Sequence, residues 1–490
     1  MSTTASAERR SIRSLIPARM DRLPWTRFHW TVVVGLGVSW ILDGLEIQLV
    51  SANGYQQQLG MDSFEVGLTG SIYLVGQVVG ALVFGRLSDR LGRRRFFILT
   101  LALYLVASAI GGLAFAPWFL WIFRFLAGMG IGGEYTAINS AIDEIIPSRF
   151  RGRIDIAING TYWAGAGLGA VANVFLLADG TALTESGWGW RIGFFIGPVL
   201  GLLIIFLRRN IPESPRWQIT HGREQEAEAN VDRIEQEVAA ESGRPLERVP
   251  DDEAIDIPVH DRVPFRVVWY TFTHLYPKRA LVAFTMLITQ SFLYNAIFFS
   301  YALVLVNFYD VPKGSVAFYF LPFALGNLLG PLVLGRLFDT IGRRQMIFAT
   351  YGIAALVLGV TAALFSADIL SATTQSVLWT AAFFFASAGA SSAYLTVSET
   401  FPLQVRGQAI SYVFAVGQLA GAGASALYGA LVGDGSDRGP LTFGYFLGAA
   451  IMLVGGVMAL AFGVAAEGKA LEDISDVDFI DKVEAHLSRS

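Results

Sequence analysis

Twelve stretches of the chain are almost entirely apolar: residues 28–52, 64–86, 96–115, 117–142, 154–178, 190–207, 280–307, 314–337, 345–366, 376–398, 407–432 and 441–465. At about 1.5 Å per residue, each is long enough to cross a hydrocarbon core of about 30 Å as a helix. Helices are expected because an open strand edge finds no hydrogen-bond partner in lipid. The alternating segments of roughly ten residues that a barrel requires are absent from the sequence. The pattern therefore predicts an all-α membrane protein with 12 transmembrane helices.

Composition narrows the classes further. The 490 residues are 53% hydrophobic and only 16% charged, against about 25% charged in soluble domains, so the solvent for most of the surface is a lipid bilayer. Gly occurs 52 times, as suits helices that touch closely in a membrane. A net charge of -4 gives no basic face for nucleic acid, and the lack of Cys excludes disulfides, thiol catalysis and Cys-bound zinc.

Charge also orients the chain. With both termini cytoplasmic, Lys313 and Arg438 are the only basic residues in the outward connections, the asymmetry of the positive-inside rule. Residues 1–27 carry six arginines and no cleavage-site pattern, and read as a basic cytoplasmic arm. A six-helix bundle over 28–207 follows. Residues 208–279 read as a solvated cytoplasmic linker, 280–466 as a second six-helix bundle, and 467–490 as an acidic cytoplasmic tail.

The two bundles are copies. Gly76-x3-Gly80-x4-Gly85-Arg86-Leu87-x-Asp89-x2-Gly92-Arg93-Arg94 recurs, displaced by 250 residues, as Gly326-x3-Gly330-x4-Gly335-Arg336-Leu337-x-Asp339-x2-Gly342-Arg343-Arg344. Glu144-x2-Pro147-x3-Arg151-Gly152 recurs after 255 residues at Glu399, Pro402, Arg406 and Gly407. Duplicated six-helix units in the same orientation imply two pseudo-symmetric bundles with a substrate site between them.

The paired Gly-x3-Asp-x2-Gly-Arg-Arg loops resemble the signature of the major facilitator superfamily. Pro212-Glu213-Ser214-Pro215-Arg216-Trp217 and Arg124-Phe125-x2-Gly128-x-Gly130-x-Gly132-Gly133 resemble motifs of its sugar-porter branch. The resemblance implies alternating access by a rocker switch. It also implies an inner gate built from Asp89, Arg93, Glu144, Arg151, Glu213 and Arg216 in one half and Asp339, Arg343, Glu399 and Arg406 in the other.

Charges at membrane depth cost roughly 2.5–3.5 kcal/mol each on insertion scales, which marks them as functional candidates. Asp43 and Glu46 lie in the first span, Arg124 and Glu134 in the fourth. Counting about 1.5 Å per residue puts Asp43 roughly 10–12 Å and Arg124 roughly 10 Å inside the outer face. Opposite charges at matched depth can pair, so Asp43 is expected to hold the proton with Arg124 as counter-ion. Asp43-Gly44-Leu45-Glu46 also resembles the first-span motif of aromatic-acid:proton symporters. Glu46 shares the face of Asp43 or reaches the outer surface, and Glu134 is a second coupling or gate candidate.

Neutral polar residues and an aromatic mark the pocket: Asn159 and Trp163 in span 5, Gln290 and Asn295 in span 7, Asn327 in span 8 and Gln418 in span 11. Such a lining suits a sugar, a polyol or an organic or aromatic acid. Gln290-Ser291-x3-Asn295-x5-Tyr301 partly resembles the sugar-contact motif of span 7. Each of these polar residues could instead serve an interhelical hydrogen bond.

Other chemistries find no foothold. Gly128-x-Gly130-x2-Gly133 lies inside an apolar span with no preceding strand, and neither a P-loop nor H-E-x-x-H occurs. No enzyme, cofactor or metal site is expected. The reading is a monomeric secondary transporter of a bacterial inner membrane that imports a small organic metabolite with protons. An exporter is the alternative, disfavoured by the absence of Pro from 154–178, as is a non-transporting sensor, disfavoured by the short tail.

Overall fold

The computed structural model describes residues 11–463 and Val483, apart from 52–53, 92, 179, 209–212, 214, 221, 259–264 and 402. Among the described residues, twelve long apolar helices follow the expected runs: α1 (Arg27–Ser51), α2 (Ser63–Leu91), α3 (Arg93–Gly111), α4 (Pro117–Ile145), α5 (Ser148–Leu176), α6 (Trp188–Arg208), α7 (Pro277–Tyr309), α8 (Val316–Thr340), α9 (Arg343–Ser366), α10 (Ala372–Thr400), α11 (Leu403–Val432) and α12 (Gly439–Phe462). Among the described residues, seven helices are by length and composition alone apolar enough to cross a membrane. Local chemistry sets several ends. Asp310, at φ 52°, closes α7, and Ser371 opens α10 with a reciprocal cap to Thr374.

The packing repeats as the sequence does. In the first half α1 packs on α5 and α6, α2 on α4, and α3 on α4 and α6. In the second half α7 packs on α11 and α12, α8 on α10, and α9 on α10 and α12. The halves meet along α2–α11 and α5–α8, two seams that the same pseudo-twofold exchanges. Gly44, Gly165 and Gly169 press α1 onto α5, and Gly76, Gly80, Gly128 and Gly132 press α2 onto α4. An added Cβ at most of these positions would strike a backbone carbonyl of the facing helix.

Outside the bundles the all-α fold carries one short two-stranded ribbon, and the arm packs against the linker. Strand β1 (Ser11–Ser14) pairs antiparallel with β2 (Ile255–Pro258), Ser11 opposite Pro258. The short helix Ile16–Asp21 lies on the linker helix Glu224–Ser242. Ala227, Val231, Ile234 and Val238 form an apolar stripe at helical spacing and bury against Ile16, Met20, Leu23 and Phe28. Arg19 sits among Glu228, Asp232 and Glu235 at 2.5–2.7 Å, and Arg22 reaches Glu235 at 2.6 Å. Burying one face of the linker helix removes more apolar surface from water than leaving it free, and the arginines neutralise the acidic edge of that face.

Candidate functional site

The site lies between two helix pairs drawn close by glycines, α1 on α5 and α2 on α4, whose polar side chains meet in the interior. Glu46 and Arg124, each 1% exposed, form an ion pair at 3.3 Å. Ser108 from α3 donates to the same Glu46 Oε1 at 2.6 Å. Asp43, 3% exposed, accepts a hydrogen bond from the Tyr73 hydroxyl at 3.0 Å. The face of Tyr73 lies 4.0 Å from Arg124 Cζ, a cation–π contact at full desolvation. Arg124 Nε and Nη2 and Glu46 Oε2 are buried without a hydrogen-bond partner among the described residues.

This arrangement revises the expected pairing. The ion pair to Arg124 comes from Glu46, and Asp43 joins through Tyr73. Glu46 points inward and does not reach the surface. Both carboxylates face the same way, three residues apart. Which one meets the guanidinium is decided by the rotation of α1 that Gly44 and Gly165 impose. Glu134 lies buried at 2% exposure, one turn beyond Gly130 on α4.

The neutral residues divide into two groups. Gln418 Nε2 donates to Gln77 Oε1 across the seam at 2.7 Å, and Gln418 Oε1 accepts from Ser291 at 2.8 Å. Asn295 donates to Ser291 Oγ at 3.1 Å, and Gln290 Oε1 is buried without a hydrogen-bond partner among the described residues. Trp163 of α5 is half-buried and crosses to the second half, with ring centroids 5.8 Å from Tyr294 and 5.9 Å from Phe323. Asn327 is used internally: it accepts from Tyr294 at 2.9 Å and donates to the Phe323 carbonyl at 2.9 Å.

The expected gate is described at two positions. Glu213 lies by the linker helix, where its carbonyl accepts from Asn230 at 2.7 Å. Arg343 occupies the first turn of α9 and is half-buried. The side chains of Asp89, Arg93, Glu144, Arg151, Arg216, Asp339, Glu399 and Arg406, and that of Asn159, lie outside the described residues.

Tyr73, Gln77, Ser108 and Gln48 were not singled out from sequence. Gln48 donates to Tyr301 of α7 at 2.7 Å, another tie between the halves. Polar residues one turn apart in an otherwise apolar run, as at Tyr73 and Gln77, are the signal that could have marked them.

Comparison with known proteins agrees with this architecture. A family model described as "Sugar (and other) transporter" matches residues 38–477. The niacin transporter NiaP of Acinetobacter baylyi is 26% identical, over 93% of this chain and 99% of the relative. The inner membrane metabolite transport protein YdjE of Escherichia coli is 26% identical over 94% and 99%. A crystal structure of a D-xylose-proton symporter superposes with a TM-score of 0.69 at 19% identity, covering 91% of this chain and all of that one.

Proposed function

This chain belongs to the sugar (and other) transporter family, within the major facilitator superfamily, and from that premise we propose that it imports a small organic metabolite together with protons. The observation that carries the reading is the buried set Asp43, Glu46 and Arg124. Glu46 pairs with Arg124, and Asp43 is joined to the same guanidinium through the Tyr73 ring, so the three charges form one buried electrostatic unit. A charge at membrane depth is costly, and a proton is the smallest counter-charge available. Protonation of Glu46 removes the attraction that holds Arg124, leaving the guanidinium on the face of Tyr73. The two halves then have a different preferred arrangement in each protonation state.

Other parts of the reading follow the same geometry. The face that carries the arm and linker is cytoplasmic, in line with the Lys and Arg distribution. On the resemblance of the repeated loops, the gate at that face is assigned to Asp89, Arg93, Glu144 and Arg151 with Asp339, Arg343, Glu399 and Arg406, and to Glu213 and Arg216 after the sixth span. Trp163, Gln290, Asn295 and Gln418 are assigned to the substrate path, and Asn159 is added to them from its place in the sequence of span 5. Arg124 Nε and Nη2, which have no hydrogen-bond partner among the described residues, favour an organic or aromatic acid over a neutral sugar, since a guanidinium pairs with a carboxylate. Nicotinate is the first compound to test, because the niacin transporter of Acinetobacter baylyi is similar over nearly its whole length.

The test is uptake into proteoliposomes of labelled nicotinate, D-xylose and benzoate, with and without an inward proton gradient. At least one compound should accumulate only with the gradient. Glu46→Gln should abolish that accumulation while leaving exchange of internal for external substrate intact. Gradient-driven accumulation that survives Glu46→Gln refutes the assignment of the proton.

A further inference from the structure

The Gln77–Gln418 bond is the deepest rung of a ladder along the α2–α11 seam. Toward the face opposite the arm, Ser71 Oγ donates to Ala422 O at 2.6 Å, Ser425 Oγ to Gly67 O at 2.8 Å and Ser63 Oγ to Gly433 O at 2.5 Å. Those rungs end on backbone carbonyls, so they tie helix to helix without depending on a second side chain. Gln77 differs on both of its sides.

On the first side its helix is locked to the one that carries Arg124. Arg124, Gly128 and Gly132 are spaced one turn apart and form a stripe on α4. A Cβ on Gly128 would strike the Tyr73 carbonyl, and one on Gly132 the Gln77 carbonyl. Backbones in such contact move together, so Arg124, Tyr73 and Gln77 behave as one rigid body. On the second side, Gln418 accepts from Ser291, and Ser291 accepts from Asn295. The bond therefore joins the buried charges at one end to the polar residues of α7 and α11 at the other.

We infer that the Gln77–Gln418 amide pair is the positioning contact that couples the charge cluster of the first half to the pocket residues of the second. The inference rests on the proton-coupled reading above. When the cluster changes charge, Arg124 shifts against Glu46, and the rigid α2–α4 pair carries Gln77 with it. Gln418 and Ser291 either follow or lose the bond. The cluster that drives this is faced by Asp43 and Glu46 of α1, Tyr73 of α2, Tyr104 and Ser108 of α3 and Tyr162 of α5. Tyr55, from the connection before α2, lies within electrostatic reach of Arg124, and the Gly197 backbone of α6 lies against Glu46.

The chain has no native Cys, so a single reporter thiol reads the seam without background. Ser63→Cys places one at a position 7% exposed. Its maleimide labelling rate in detergent is measured between pH 5 and 8. Each rate is divided by that of the exposed Gln57→Cys chain at the same pH, which cancels thiol ionisation. With the parent pair intact, the normalised rate should vary with pH as the cluster titrates. Gln77→Leu should raise it about two- to twelvefold, the worth of one neutral hydrogen bond, and flatten its pH dependence. Gln418→Leu should do the same from the other side, and the double variant should match either single one. An unchanged rate, an increase that keeps the parent's pH dependence, or additive single effects each overturn the coupling. A parent rate that is flat with pH instead overturns the proton-coupled reading, and the coupling with it.

Discussion

Gly67 lies where the two halves touch near the face opposite the arm, and its replacement by Ala has a calculable effect. The new Cβ would stand 2.5 Å from Ser425 O and 3.0 Å from Gly429 Cα. Both are backbone atoms of α11, so neither can swing aside as a side-chain tip could. Restoring ordinary contact requires the backbones to part by about 0.9 Å, an overpacking strain that the seam can relieve by opening. The bonds from Ser425 to Gly67 O and from Ser63 to Gly433 O, now 2.8 and 2.5 Å, then stretch to the limit of hydrogen bonding. At about 0.5–1.5 kcal/mol each, losing both shifts the balance toward the open seam by about 1–3 kcal/mol, roughly 5- to 150-fold. Spin labels on Gln57→Cys and Asp434→Cys, both exposed and on opposite sides of the seam, measure the separation by pulsed electron resonance. A second, longer distance should appear in Gly67→Ala, with little change in melting temperature. An unchanged distance distribution in a folded variant refutes the reasoning.

Gly165→Ala differs because the clash is within one half. Its Cβ would meet the Ile41 carbonyl well inside van der Waals contact, so relief must come from separating α1 and α5. Thermal unfolding in detergent should show a loss of about 1–3 kcal/mol, and a melting temperature equal to the parent's would contradict the close-contact argument. The arm should respond to acid. Burial pushes the Glu235 carboxyl up, but hydrogen bonds from Arg19 and Arg22 outweigh it and hold it below the usual carboxylate range. A depressed folded value means that its contribution is complete above about pH 4.3 and fades as pH falls through the folded value. A spin label at Arg13→Cys should therefore be immobilised at pH 7 and gain mobility below about pH 4. Arg19→Ala should leave it mobile at both, and a label immobilised throughout would exclude the ionic latch.

Much of the fold was legible because membrane helices are written in one dimension. A run of about 20 apolar residues has no other stable form in lipid. The offset copies around Asp89 and Asp339, and around Glu144 and Glu399, made the duplication visible before any helix was placed. Asp43, Glu46 and Arg124 stood out for the same reason, since charge within such a run demands compensation. The docking of the arm was not legible: Arg19 and its acidic neighbours Glu228, Asp232 and Glu235 lie more than 200 residues apart, and a surface stripe of Val231 and Ile234 does not name what covers it.

The number of spans, the twofold relation of the halves and the presence of buried charge could be read from residue order alone. The pairing of Glu46 with Arg124, the hydrogen bond from Tyr73 to Asp43 and the reach of Gln418 to Gln77 across the seam come from how the helices pack. Hydropathy and spacing place a residue along a helix axis. The rotation and approach of neighbouring helices, set here by glycines against facing carbonyls, determine which side chains on a shared face touch.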